Sequence, residues 1–169
     1  LHEVAKLFYD KGLPVDVALI HVSPPDEHGF CSLGVSVDMT RAAAFSAKLL
    51  VAQVNKHMPR TLGDSFIHVA DIDVFVLHEE PLVEDIPAAV DPEVARRIGM
   101  YVSQLVDDGA TLQIGFGNLP NAILPYLEGK KDLGIHTQLI TDGLIPLFEK
   151  KVITNRKKSL LPGRAVASL

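Results

Sequence analysis

Apolar positions in the first half of the chain come as short runs separated by helical patterns. Residues 15–22, VDVALIHV, form a run rich in β-branched side chains, and SPPDEHG follows, with two prolines, Asp26 and Gly29 where no strand can continue. A strand and then a loop are predicted. Before it, HEVAKLFYDKG puts Val4, Leu7 and Phe8 on one helical face, with Gly12 as the stop. After it, MTRAAAFSA (39–47) is Ala-rich and helical, while KLLVAQVN (48–55) and DVFVLHEE (73–80) read as strands. Strands and helices thus interleave, and the runs are too continuous for one-sided sheets. This pattern predicts an α/β fold with a largely parallel sheet covered on both faces.

The pattern breaks at EEPLVEDIPAAVDP (79–92), where three prolines and five acids leave no periodic apolar face. Residues 81–90 read as a linker between a unit at 1–80 and another at 91–169. In the second unit Asp91 is placed to cap a helix with Pro92 at its first position and Glu93 near the positive end of the dipole. Val94, Ile98, Val102 and Leu105 give that helix its expected core face, and Gly109 its stop. ATLQIGFG (110–117) then reads as a strand running into glycines. The chain begins in one apparent element and stops in another, GRAVASL, so an internal fragment of a longer protein is expected.

With 169 residues, 47% of them apolar, the chain can bury roughly two thirds of its unfolded surface. The single Cys31 rules out an internal disulfide framework and fits a reducing compartment, the cytoplasm being the default. No apolar run approaches the ~20 residues of a membrane helix. A net charge of −5 argues against broad nucleic-acid binding and leaves a small anionic ligand open.

Candidate chemistry is sparse when motifs are weighed singly. GFGNLPNAIL (115–124) puts Gly115 and Gly117 where the backbone turns sharply or approaches a ligand, with Pro120 at the start of a helix. Such a turn can hold an anion or an oxyanion, or be purely structural. It lacks the third glycine of a dinucleotide fingerprint. His28, His57, His68, Asp64 and Arg60 lack the spacing of a metal site, so no metal is expected, and Ser65, His68 and Asp71 lack a nucleophile elbow. NRKKS (155–159) reads as a solvated basic turn.

Taken in order, VSPPDEHGFCSLGVSVD (22–38), VNKHMPRTLGDSFIHVADID (54–73), LQIGFGNLPNAIL (112–124) and GIHTQLITDG (134–143) resemble the acetyl-CoA hydrolase/transferase family. The 4-hydroxybutyrate and acetate CoA-transferases are the members most alike, and the resemblance spans nearly the whole chain. It implies the class I CoA-transferase fold of two similar α/β domains. Residues 1–80 would be the C-terminal part of the first domain and 91–169 the N-terminal part of the second. The implied ligands are acyl-CoA and small carboxylic acids, with CoA as a substrate and no tightly bound cofactor, nucleic acid or membrane. A homo-oligomer is the expected assembly.

In that family, as the resemblance implies it, a glutamate carboxylate attacks the thioester to give an acyl-glutamyl anhydride, and the thiolate returns to form a glutamyl-CoA thioester. An incoming acid then takes the CoA. Aligned on GIHT and DG, the glutamate's position is Gln138 in this chain. A neutral amide cannot displace a thiolate. Gln138 therefore marks a silent acyl-CoA-binding module, an engineered trap, or a site where another group such as Asp142 attacks. Gly115 and Gly117 are the expected oxyanion donors, and Gln113, Gly115, Phe116, Gly117 and Asn118 the expected substrate and CoA contacts. His136 and Thr137 are expected to pack or support their neighbours.

Overall fold

The structure, a computed structural model, describes residues 3–84 and 89–168. The chain divides into two compact units, Leu1–Glu84 and Asp85–Leu169. Residues 85–88 of the expected linker lie outside the described residues.

The first unit runs α1 (Val4–Tyr9), β1 (Val15–Val22), β2 (Phe30–Ser32), α2 (Thr40–Ser46), β3 (Ala47–Val54), β4 (Phe66–His68) and β5 (Val74–Leu77). Strands β1, β3 and β5 form a parallel sheet in that order, and β2 pairs with β4 as an antiparallel ribbon. Alternation along the strands buries Ala18, Ile20 and Val22 of β1 and Leu50, Ala52 and Val54 of β3. These side chains join Cys31, Leu33, Ala44, Ile67 and Ile72 in one core. The opposite face carries Val17, Leu19, Leu49, Val74 and Val76, all exposed. Cover on both faces was expected, and the reason for the difference is topological. In a sheet whose successive parallel strands step in one direction, right-handed connections all cross the same face. Here α2 packs on β1 and β3, and α1 packs on α2.

Ser65 and His68 are tied into the local structure. Ser65 is buried and donates to the Thr61 carbonyl, while the His68 ring meets the His28 carbonyl and accepts from the Ala70 N–H. The sole thiol, Cys31, is buried, and loss of solvation pushes its pKa up.

The second unit runs α3 (Pro92–Leu105), β6 (Thr111–Leu112), α4 (Asn118–Ile123), β7 (Gly134–Ile135) and α5 (Ile145–Glu149), with 3-10 turns at Leu124–Leu127 and Asp142–Leu144. Asp91 caps α3 by accepting from the N–H groups of Glu93 and Val94. The buried stripe of this helix is Ala95 and Gly99; Val94 and Leu105 of the expected core face are exposed, and Ile98 and Val102 are half-buried. Close approach of Tyr126 explains the difference, since a Cβ on Gly99 would stand 2.3 Å from its ring. Hydrophobic periodicity finds large side chains, whereas this contact selects small ones. Gly109 does not end α3, which stops at Leu105; at φ 79° it makes a later turn and donates to the Lys131 carbonyl.

The backbone of 133–136 is bonded along both edges. On one side β7 pairs in parallel with β6, Gly134 N–H donating to the Ala110 carbonyl and His136 N–H to the Leu112 carbonyl. On the other side, parallel bridges join Leu133 to Ile153 and His136 to Val166. Between those bridges the chain loops away, and the Asn155 side chain fills the gap, its Oδ1 accepting from the Ile135 N–H at 2.8 Å. Asn155 is itself buried and left-handed, at φ 58°, a conformation asparagine tolerates better than most residues.

Lys158 lies beside it. Its ammonium donates to the carbonyls of Ile135 and Arg164, each at 2.7 Å, and its stem passes where a Cβ on Gly134 would be 2.5 Å from Cγ. The NRKKS segment is therefore not a solvated turn throughout: Arg156 and Lys157 are exposed, but Lys158 is buried, and burial lowers its pKa. Two accepting carbonyls compensate that burial. Around this strand Ile114, Leu124, Leu127, Leu144, Leu147, Val152 and Ile153 complete the second core.

Two outcomes are expected. Asn155→Ala leaves the buried Ile135 N–H without an acceptor and lowers stability by about 2 kcal/mol, read from urea unfolding. The other concerns Asp26, whose carboxylate accepts from the N–H groups of Phe30 and His28 and pairs with Arg60 at 2.6 Å. The Phe30 N–H above all, with the His28 N–H and the Arg60 charge, holds its pKa below the usual carboxylate value. A depressed folded pKa means stabilisation that is complete above the unfolded pKa and lost as pH falls through the folded one. Melting temperatures of the parent and of Asp26→Asn should therefore differ at neutral pH and converge in acid.

Candidate functional site

Two chain segments that leave adjacent parallel strands at their C-terminal ends build the site. In open α/β sheets ligands bind outside the carboxyl ends of the strands. The first segment continues β6 through Gln113 and the buried Ile114 into Gly115, Phe116 and Gly117, and then into α4. The second continues β7 through His136 and Thr137 to Gln138.

The two glycines differ in what requires them. Gly117 sits at φ 121° and ψ 175°, backbone that only glycine adopts without strain, and no atom lies within 4 Å of where its Cβ would stand. Gly115 has no positive φ, and a Cβ there would meet only the Pro120 ring at 3.6 Å, an ordinary contact. Packing among the described residues therefore does not demand Gly115, whereas a ligand approaching the backbone would. The N–H groups of Gly115, Phe116 and Gly117 donate to no group among the described residues. Phe116 is 79% exposed, Gln113 is exposed and Asn118 is half-buried.

Thr137 ties the segments together. Its hydroxyl accepts from the Ile114 N–H at 2.9 Å and donates to the Ile114 carbonyl at 3.0 Å, both bonds being buried. Gly115 and Gln138 are each the next residue beyond this junction. On the far side of Gln138, the Thr141 hydroxyl donates to Asn121 Oδ1 at 2.5 Å, joining the following loop to α4. Gly143 permits that approach, since a Cβ there would stand 2.8 Å from Asn121 Oδ1. The residue after Asp142 is thus glycine for packing, its φ being unexceptional.

Gln138 is exposed. Its carbonyl accepts from the N–H and the hydroxyl of Ser168, both at 3.2 Å, and its side-chain amide makes no hydrogen bond among the described residues. Asp142 is exposed at the start of its 3-10 turn. The structure thus brings Gln113, Gly115, Phe116, Gly117, Asn118 and Gln138 into one region of the second unit. Asn121 and Thr141 escape sequence reasoning, because a single Asn–Thr pair twenty positions apart leaves no periodic or motif signal. Among the described residues, no group of three His, Cys, Asp or Glu side chains is placed to hold a metal ion. Nor is any helix long and apolar enough to cross a membrane.

Comparison with known proteins gives this geometry its context. Residues 1–87 match the acetyl-CoA hydrolase/transferase N-terminal domain. The 4-hydroxybutyrate coenzyme A transferase of Clostridium kluyveri is 54% identical over 167 residues, which cover 99% of this chain and 39% of that protein. The crystal structure of a 4-hydroxybutyrate CoA-transferase from Porphyromonas gingivalis superposes with a TM-score of 0.93 at 45% identity, covering 99% of this chain and 43% of that one. RipA from Yersinia pestis gives a TM-score of 0.92 at 38% identity, covering 99% and 39%. The chain spans about two fifths of the length of these relatives. With a match to the family's own domain over half its length and agreement with CoA-transferases over nearly all of it, the chain belongs to the acetyl-CoA hydrolase/transferase family.

Proposed function

We propose that the chain forms part of a CoA-transferase or acyl-CoA hydrolase site that handles acetyl-CoA or 4-hydroxybutyryl-CoA. In it, residue 138 occupies the position of the attacking carboxylate and the Gly115–Gly117 turn supplies the oxyanion donors. The observation that supports this reading is the Thr137–Ile114 junction, which joins the residue before position 138 to the residue before the glycine turn, whose N–H groups are unbonded among the described residues. The division of labour matches the chemistry. A carboxylate oxygen attacks the thioester carbonyl, charge develops on that carbonyl oxygen, and two or three fixed N–H groups stabilise it. Collapse expels the CoA thiolate and leaves an acyl-glutamyl anhydride. The thiolate then attacks the glutamyl carbonyl, releasing the acyl group as a free carboxylate and leaving CoA as a glutamyl thioester. An incoming carboxylate reverses the two steps with its own acyl group, and water opening the anhydride gives hydrolysis instead.

With glutamine at 138 the first step fails, because the amide is neutral and its nitrogen lone pair is delocalised. Loss of that step gives the alternative reading, a catalytically silent acyl-CoA-binding module of the same fold. Its amide retains nearly the shape of glutamate and presents both donor and acceptor to the thioester. Residues 1–80 belong to the first CoA-transferase-like domain and 91–169 to the second, in a cytoplasmic homo-oligomer.

The test uses the full-length protein. It should bind acetyl-CoA by calorimetry yet form no glutamyl-CoA adduct under borohydride or hydroxylamine trapping. Gln138→Glu should restore the adduct and acyl transfer to acetate, raising the rate by several orders of magnitude. Robust transfer by the Gln138 protein would show that another carboxylate, such as Asp142, attacks.

A further inference from the structure

A parallel ladder continued one step beyond β6 and β7 would bond the Ile114 N–H to the His136 carbonyl, following the bonds from Gly134 to Ala110 and from His136 to Leu112. That bond is missing. The Ile114 N–H goes to the Thr137 hydroxyl, and the same hydroxyl returns a proton to the Ile114 carbonyl. A side-chain hydroxyl has taken the place of the next ladder bond, at the residue before the glycine turn. The second tie, from Thr141 to Asn121, lies beyond the turn. The loop from Ile114 to Asn121 is therefore fastened at both ends, and its two anchors, Thr137 and Thr141, stand before and after residue 138.

From this arrangement we infer that Thr137 is a positioning residue, with Asn121–Thr141 as its counterpart. It fixes the spacing between the Gly115–Gly117 N–H groups and the side chain at 138 without touching substrate. The inference rests on the site reading above and adds its mechanical element. Gly115 and Gly117 give the turn freedom that an oxyanion site must not have in the transition state, and two ties restrict that freedom without filling the crevice. Binding of the remote CoA moiety uses other contacts, so loss of the ties should cost rate before affinity.

Gln138→Glu in the full-length protein is the background in which the inference is tested, by single-turnover formation of the glutamyl-CoA adduct together with acetyl-CoA affinity. Thr137→Val keeps the shape and removes both bonds; it should slow adduct formation roughly 10- to 100-fold while the Kd changes less than about threefold. Thr137→Ser keeps the hydroxyl and should stay within about threefold of the background. Thr141→Val should show the same split between rate and affinity, and it carries the test if Thr137→Val does not fold. Unchanged rates in both valine variants would overturn the inference, as would rate and affinity falling in proportion with no rescue by serine. If Gln138→Glu binds acetyl-CoA but forms no adduct, the site reading itself fails and the positioning role falls with it. That outcome is distinct from an active background indifferent to Thr137.

Discussion

The second unit depends on one condition, that the backbone from Leu133 to His136 is hydrogen-bonded along both edges. A strand end bonded on one side only would fray, and a side chain at its tip would sample many positions. Here β6 holds one edge, while three separate pieces of chain hold the other: the residues around Ile153, the Asn155 side chain, and the residues around Val166. Lys158 adds a donor to the same Ile135 carbonyl that accepts from the Val166 N–H. The buried amide and the buried ammonium thus do for the edge what a continuous neighbouring strand would do by backbone alone, and the side chain at 138 inherits a fixed origin.

The first unit is built on a different economy. Its three parallel strands step in one direction, so its connections cross one face. Asp26 is the centre of one loop, gathering two N–H groups and the Arg60 guanidinium, which also lies over the Phe66 ring at 4.6 Å. Asp26 and His68, which a motif search would collect here, are occupied with holding turns.

What the sequence reveals follows the range of the interaction involved. Strand β1, helix α2 and strand β3 are legible because each is announced by its own residues and closed by neighbouring Pro, Gly or a change of period. The Asp91 cap is legible for the same reason, since donor and acceptor lie within three residues. The α3 face is misread because Tyr126, far along the chain, selects Gly99 where local periodicity points to Leu105. Lys158 is misread because a cluster of basic residues says nothing of the two distant carbonyls that receive one of them. At the candidate site, the glycine turn and Gln138 are singled out by motif and resemblance, yet the bonds that join them, Thr137 to Ile114 and Thr141 to Asn121, bridge more than twenty or about twenty positions and have no local signature.

The buried Cys31 has a practical consequence. As the chain's only thiol, sealed in the core of the first unit, it is reached by an alkylating reagent only when that core opens. The kinetics of its modification therefore report the opening of the core that holds β1, β3 and the β2–β4 ribbon.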